Sequence, residues 1–250
     1  AMPGVTHHWM TPNGVGMLNE HEYRLFFRAR YGLLPLNAHR YQATRSVRRC
    51  AFCYAHGRDE IETLAHVFSG CPRYLNIRRM RHDAVATLVM KAVLTALRSK
   101  CGDNKRYEVR HEVSLGKATS TALSAEQAIL RPDAYLHDNV GRTVTPVEFT
   151  VPDDARLLAA FKEKHEKYSH ILNEATPSDA TMSFKPLAVV AVGTWGTVHQ
   201  SAVNSLVRLG IPPEAITAIL RKILKICAQH ATLIARSRFA AKRKGLPTAL

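Results

Sequence analysis

The chain of 250 residues is predicted to have an α/β fold in which a mixed sheet is flanked by helices. Two short strand patterns, at 134–136 and 143–150, are separated by a turn at 138–141. A continuous apolar run at 187–192 is typical of a strand that is covered on both faces. The helical segments predicted to cover the sheet lie at 73–98, 152–173 and 212–241.

The charge of the chain favours a polyanionic partner. The chain has 35 Lys and Arg residues against 20 Asp and Glu, which gives a formal net charge of +15. Nucleic acid matches this surplus better than a membrane surface does. No run of about 18 apolar residues occurs, so no segment is expected to span a bilayer, and no secretory signal pattern is seen, so secretion is not expected. The alternative is a generally basic surface.

The first 49 residues are predicted to form a loosely held arm and one basic helix. The helix is predicted at 19–31 because aromatic residues recur there at steps of three and four. These aromatic residues are Tyr23, Phe26, Phe27 and Tyr31, and arginines are interleaved with them. Such a pattern can hold single-stranded or structured nucleic acid. The alternative is an amphipathic helix that packs its aromatic side chains inward.

Three cysteines and a histidine follow with the spacing of a zinc site, Cys50-x2-Cys53-x12-His66-x4-Cys71. A short helix at 59–68 is predicted to present His66. Zn²⁺ is the expected metal because mixed thiolate and imidazole ligands favour it, and four protein ligands make such a site structural. The chain has 5 cysteines, an odd number that suits a metal site in a reducing compartment better than a disulfide framework. The alternative is a group of unligated thiols beside a surface histidine.

Basic side chains follow the cysteines at the start of the helix predicted at 73–98. Cations near a helix N-terminus oppose the macrodipole, so we interpret them as phosphate contacts. The residues predicted to contact nucleic acid are Arg45, Arg48, Arg49, Arg78, Arg79, Arg81, His82 and Arg131. A second basic run, at 236–244, is interpreted as a solvated tail, with contact to DNA as the alternative.

Two acids and a lysine form a candidate catalytic site. Asp133 and Glu148 lie on strands that the turn should pair, so both carboxylates can reach one ion, and the helix after them brings Lys164 back towards the strand ends. Glu148 lies in an otherwise apolar strand, where an unpaired charge is costly. Carboxylates that hold Mg²⁺ or Mn²⁺ beside an ammonium group are suited to phosphodiester cleavage. The Phe149 carbonyl is a further expected ligand, and the alternative is a solvent-facing hairpin with an unrelated helix.

The motifs together resemble the C-terminal part of site-specific non-LTR retrotransposon proteins, from about residue 20 to the end of the chain. The residues that carry the resemblance are Cys50-x2-Cys53, Glu62-Thr63-Leu64-Ala65-His66-x4-Cys71-Pro72, Arg81-His82-Asp83, Arg131-Pro132-Asp133, Glu148 and Lys164-x2-Lys167-Tyr168. The resemblance implies a restriction-endonuclease-like core, of the PD-(D/E)xK type, preceded by a zinc knuckle. It implies an endonuclease that nicks target DNA, so that the freed 3′-hydroxyl primes reverse transcription of the element's RNA.

By position, the resemblance assigns metal binding to Asp133 and Glu148 and catalysis to Lys164, with Tyr168 beside it and Lys167 as an alternative. In the commonest motif of this type the lysine lies two residues after the second acid, where this chain has Thr150. The lysine has therefore moved to the following helix. His82 or Glu112 is expected to complete the site.

Three regions are predicted: an arm with a basic helix at 1–49, the knuckle at 50–75 and the nuclease domain at 76–250. The resemblance implies nuclear location, with target DNA and element RNA as partners, and a reverse transcriptase elsewhere in the same polypeptide. Two other functions remain open. One is a nucleic-acid-binding module whose nuclease fold is inactive, and the other is a host nuclease that acts on branched DNA.

Overall fold

The computed structural model describes residues 17–39 and 48–243. The helices and strands follow one another as α1 (Glu20–Arg30), α2 (Ala51–Ala55), α3 (Leu75–Cys101), β1 (Tyr107–His111), α4 (Leu115–Ala118), α5 (Ala125–Ala128), β2 (Ala134–Asp138), β3 (Thr143–Thr150), α6 (Leu157–Glu174), β4 (Ser183–Phe184), β5 (Ala188–Ala191), α7 (Gln200–Arg208) and α8 (Pro213–Arg243). Short helical turns lie at Asn37–His39, His66–Gly70, Pro72–Tyr74 and Asp154–Arg156, and the one at His66–Gly70 is π-helical.

Local sequence explains where the helices begin and end. Asn19 caps α1 in a reciprocal arrangement: its side chain accepts from the Glu22 N–H, and the Glu22 carboxylate accepts from the Asn19 N–H. The helix α3 ends at Gly102, whose φ of 68° is left-handed and favours glycine. These caps fix the two helices that carry most of the basic and aromatic side chains discussed below.

The mixed sheet is built around β3. The strands β1, β2 and β3 form an antiparallel meander, in which Leu136 of β2 lies opposite Thr145 of β3. On its other edge β3 pairs in parallel with β4 and then with β5, where Val147 lies opposite Ala188. Because β3 has partners on both edges and packs against apolar clusters on both faces, most of its side chains are buried.

Helices cover both faces of the sheet. On one face α3, α7 and α8 pack against the apolar side of β3 and β5, through residues such as Val89, Val147 and Ile223. On the other face α6 packs through Tyr168 and Leu172. The alternation of β5 sends Val189 to the α6 side and Val190 to the α8 side, which accounts for its continuous apolar sequence.

A second apolar cluster joins the segments before and after the sheet. It contains Phe26 of α1, Phe68 of the π-helical turn and Trp195, together with the inner face of α8 around Ala231. Phe26 and Phe68 both pack on Trp195, with ring centroids 5.1 and 4.8 Å away. The cysteine-rich segment is therefore packed against both α1 and α8.

The α/β fold with a mixed sheet is confirmed, and β3 occupies the predicted 143–150. The helix predicted at 59–68 is wrong. Residues 59–63 are extended, since Ile61 bridges Arg49 and the Cys50 N–H donates to the Glu60 carbonyl. The helical turn begins only at Leu64. The solvated tail predicted at 236–244 is wrong for Arg238, which lies buried on α8.

None of the helices in the described residues is both long and apolar enough to cross a membrane. Residues 1–16 of the predicted arm and the predicted nucleic-acid contact Arg45 lie outside the residues that the structure describes.

Candidate active site and metal centre

The predicted acids meet where β2 and β3 lie side by side. The pairing of Ala134 with Val147 brings residue 133 opposite residue 148. The Phe149 N–H donates to Asp133 Oδ2 at 2.7 Å, and the Asp133 N–H donates to Glu148 Oε2 at 3.2 Å. The Glu148 carboxylate therefore holds the backbone of Asp133, the Asp133 carboxylate holds the backbone of Phe149, and the two acids lie next to each other.

Lys164 reaches the same point from α6. Its Nζ donates a hydrogen bond to Glu148 Oε1, and this ion pair joins a carboxylate that is 1% exposed to an ammonium that is 33% exposed. Burial raises the pKa of Glu148, and the neighbouring charge of Asp133 raises it further, whereas Lys164 lowers it. A divalent cation between the acids would relieve this repulsion, so the donor set fits a hard cation.

His82 of α3 completes the group. Its Nε2 lies 3.3 Å from both Asp133 Oδ2 and the Phe149 carbonyl oxygen, and its Nδ1 lies 3.0 Å from Asp83 Oδ1. The hydrogen bond to Asp133 is the main reason why the pKa of His82 rises to about 9. The cationic imidazole thus faces the two oxygens that were expected to bind a metal. The Glu112 N–H, by contrast, approaches only the Asp133 carbonyl, at 3.4 Å.

Of the two candidate lysines, only Lys164 contacts an acid of this group among the described residues. Lys167 Nζ lies 4.8 Å from the centre of the Tyr168 ring. Tyr168 is 1% exposed, and its hydroxyl donates to the Arg131 carbonyl at 2.9 Å. Tyr168 therefore holds the chain next to Asp133 in place, and burial raises the pKa of its hydroxyl.

The three cysteines and His66 also come together. Cys50 Sγ and Cys53 Sγ lie 3.9 and 3.8 Å from Cys71 Sγ, and Cys53 Sγ lies 3.4 Å from His66 Nε2. A tetrahedron with Zn–S bonds of about 2.3 Å has sulfur–sulfur edges of about 3.8 Å. The four ligand atoms all lie within 4.8 Å of one another, so this cluster can hold a metal ion such as Zn²⁺.

The protonation of the thiols supports the same conclusion. The pKa of Cys50 is lowered, chiefly by its hydrogen bond with Cys71, whereas that contact raises the pKa of Cys71, and burial raises that of Cys53. A cation bound between the packed sulfurs would allow all three thiols to ionise. His66 Nδ1 lies 3.9 Å from Glu60 Oε2, on the side away from the sulfurs.

The cluster and the acids are connected through the turn after β3. Ser69 Oγ and Thr194 Oγ1 are 2.9 Å apart, and the Thr194 hydroxyl donates to the Pro152 carbonyl at 2.9 Å. Arg78 donates to the carbonyls of Ser69 and Cys71. Sequence reasoning missed this connection because Ser69 and Thr194 are 125 residues apart.

Arg81 does not face nucleic acid, contrary to the prediction. It is 1% exposed and donates to the Val151 carbonyl at 3.2 Å. Arg78 is half-buried by its contacts with the cluster, and Arg49 pairs with Asp59 at 2.6 Å. The side chains of Arg48, Arg79 and Arg131 are exposed, so the predicted contact with nucleic acid stays open for them.

Arg238 was missed as a structural residue. Its guanidinium donates to both oxygens of Glu62, at 2.6 and 2.7 Å, and both residues are buried. A sequence signal was present, since Arg238 follows Ile234 by four residues and Ala231 by seven, on the buried side of α8. The ion pair anchors α8 to the extended chain in front of His66.

No family model matches the chain. No curated protein matches it either. The assignment of a function therefore rests on the residues and their geometry.

Proposed function

We propose that the chain is the zinc-containing DNA endonuclease part of a non-LTR retrotransposon protein. The observation that carries the proposal is the contact of Lys164 with Glu148 at the point where Glu148 meets Asp133. The order α3, β1, β2, β3, α6, β5, with acids on the meander and a lysine on the crossover helix, agrees with the restriction-endonuclease-like core that the resemblance implies.

Asp133, Glu148 and the Phe149 carbonyl are the groups that would hold Mg²⁺ or Mn²⁺. The ion, when bound, supplies a Lewis acid and lowers the pKa of coordinated water. Lys164 offers an ammonium that offsets negative charge on a phosphate, and its contact with Glu148 keeps it in place. His82 lies beside this site, with its Nε2 3.3 Å from Asp133 Oδ2. The buried strand pair keeps these groups rigid relative to one another.

The cysteine and histidine cluster has a different role in this proposal. Four protein ligands leave no open coordination position, so Zn²⁺ there would stabilise structure. The exposed Arg48, Arg79 and Arg131 would contact the phosphates of target DNA. Nicking of target DNA, priming of reverse transcription on element RNA, action in the nucleus and a reverse transcriptase in the same polypeptide are the parts of the proposal that rest on the resemblance.

A cleavage assay tests the proposal. Wild-type protein should convert supercoiled plasmid to nicked circles with Mg²⁺ or Mn²⁺, and Asp133→Ala and Glu148→Ala should each lower the rate at least about a hundredfold, because each removes a metal ligand. Glu126→Ala is the matched control, since Glu126 is an exposed acid on α5. Equal cutting by the wild type and both variants would place the site elsewhere.

The same assay separates the two other functions. Binding of DNA without any metal-dependent cutting would identify a binding module whose nuclease fold is inactive. A strong preference for branched over linear DNA would identify a nuclease that acts on DNA structure.

A further inference from the structure

The helix α1 turns a row of aromatic side chains outward. Tyr23, Phe27 and Tyr31 follow one another at steps of four residues and are 43, 38 and 57% exposed. Their rings form a ladder, with centroids 6.4 Å apart between Tyr23 and Phe27 and 4.7 Å apart between Phe27 and Tyr31. Phe26 alone of the four aromatic residues in this segment is buried. The interpretation that the helix packs its aromatic side chains inward therefore holds only for Phe26.

A row of arginines lies next to this ladder. Arg24 and Arg28 each follow an aromatic residue by one position, which places them about 100° further round the helix. Both line a cleft of about 590 Å³ between α1 and α8, and Arg236 lies across it on α8. Arg28 and Arg236 form no ion pair with any other described residue. Among the residues that the structure describes, Arg24 pairs with Glu20, at 2.5 Å, in a contact that is exposed and therefore weak.

We propose that this aromatic–arginine face, made of Tyr23, Phe27, Tyr31, Arg24, Arg28 and Arg236, binds single-stranded nucleic acid. Exposed rings offer flat apolar surfaces on which unpaired bases stack, and guanidinium groups beside them contact phosphates. The bases of a duplex are already stacked on each other, so a duplex would use only the arginines. The charge of the face, in a chain of net charge +15, argues for a polyanion rather than for the apolar surface of another protein.

This face is separate from the group of acids. The buried side of α1 packs in the cluster around Trp195 and α8, and Arg24, Arg28 and Arg236 line the cleft between α1 and α8, whereas Asp133 and Glu148 lie at the junction of β2 and β3. The inference therefore goes beyond the proposed endonuclease activity, and each can fail without the other. A protein that nicks DNA at the acids could hold an unpaired strand on this second surface.

Binding is measured by fluorescence anisotropy with labelled 20-nucleotide strands, without added Mg²⁺ or Mn²⁺ so that nothing is cut. The strands are single-stranded RNA, single-stranded DNA of the same sequence and the matching DNA duplex. We expect wild-type protein to bind a single strand more tightly than the duplex. Whichever of RNA and DNA binds more tightly identifies the ligand.

Variants separate stacking from charge. Phe27→Ala combined with Tyr31→Ala should weaken single-strand binding at least about tenfold and leave duplex binding nearly unchanged, because base stacking on an aromatic ring is lost. Arg28→Ala should weaken binding to both and lower the slope of affinity against salt by about 0.7 for single strands. Matched controls are Val207→Ala for an exposed apolar residue and Lys91→Ala for an exposed cation.

Unchanged single-strand binding in the double aromatic variant would overturn the inference, as would equal wild-type affinity for duplex and single strand. Self-association that the aromatic substitutions abolish, with no effect on nucleic acid, would show that a second copy covers the face and would overturn it too. The melting temperature of every variant is compared with that of the wild type to detect misfolding. Phe27→Trp, which keeps an exposed ring, should retain binding to the single strand. Unchanged nicking of plasmid by the double variant would show that the nuclease site is intact.

Discussion

At the scale of single residues, the two candidate lysines on α6 differ in what each contacts. Lys164 lies three positions before Lys167, and the helical rotation between them sends Lys164 to Glu148 and Lys167 to the ring of Tyr168. Sequence spacing alone left both open, because either could reach the strand ends. The buried carboxylate of Glu148 holds the ammonium group of Lys164 in an ion pair, whereas the ammonium group of Lys167 lies over the ring of Tyr168.

The two lysines give a matched pair of variants. Lys164→Met should lower the rate of metal-dependent nicking at least about a hundredfold, because it removes the ammonium beside Glu148. Lys167→Met, the same change one helical turn away, should stay within about threefold of the wild type, since Lys167 contacts no acid of the group among the described residues. Initial rates on supercoiled plasmid measure both. The reverse order of effects would assign catalysis to Lys167.

At the scale of secondary-structure elements, the hairpin of β2 and β3 depends on Asp138. Its carboxylate accepts two hydrogen bonds from Arg106, both at 2.9 Å, and one from the Gly141 N–H at 2.8 Å in the turn. The turn sets the register that places Asp133 beside Glu148. Asp138 therefore stabilises the turn that sets the register of the candidate site, and Arg106 holds Asp138 in place.

We expect Asp138→Ala to lower the free energy of unfolding by about 2 kcal/mol at pH 7, because charged hydrogen bonds to Arg106 and to the turn are lost. The hydrogen bonds from Arg106 are the main reason why the pKa of Asp138 is lowered in the folded protein. A lowered folded-state pKa means that this stabilisation is complete above the ordinary carboxyl pKa and is lost as the pH falls through the lowered value.

Urea unfolding of wild type and Asp138→Ala at pH 7 and at several points below pH 4 measures this difference. The gap between the two proteins should be largest near neutral pH and should shrink in acid. Asp103→Ala, at an exposed acid before β1, is the control and should change stability little at either pH. A gap that stays constant with pH would show that the Asp138 charge does not contribute.

At the scale of the whole molecule, the cysteine and histidine cluster is part of the core that joins α1 and α8. Cys50, Cys53 and Cys71 are buried in the same apolar cluster as Trp195 and Ala231. A metal that ties the three sulfurs and His66 together would therefore hold the two ends of the described chain as well as the local turn. Loss of the metal is expected to affect the fold beyond residues 50–75.

Zinc analysis of purified protein should give about one ion per chain, as a single four-ligand site requires. A chelator that removes it, or Cys71→Ser, should lower the melting temperature by at least about 5 °C, since metal affinity is coupled to folding. Cys101→Ser is the matched control, because Cys101 is exposed and outside the cluster. Metal-free wild-type protein with unchanged melting would contradict the zinc assignment.

Local patterns predicted most of this architecture, and buried charges were the main failure. The strand at 143–150 and the cluster of three cysteines and His66 follow from residue pattern and spacing, which are properties of short segments. Arg81 was predicted to contact phosphate because it lies near a helix N-terminus, and Arg238 was predicted to be solvated because it lies in a basic run. Their burial depends on Val151 and Glu62, which lie 70 and 176 residues away, and no local pattern identifies such partners.

The contacts of α3 with the end of β3 have a mechanical consequence. Arg81 and His82 are successive residues on α3. Arg81 contacts the carbonyl of Val151 and His82 that of Phe149, two residues apart at the end of β3. Because adjacent side chains leave a helix about 100° apart, these two contacts hold it from different directions. Any axial rotation of α3 would break at least one of them. The buried arginine thereby determines the direction in which the histidine points.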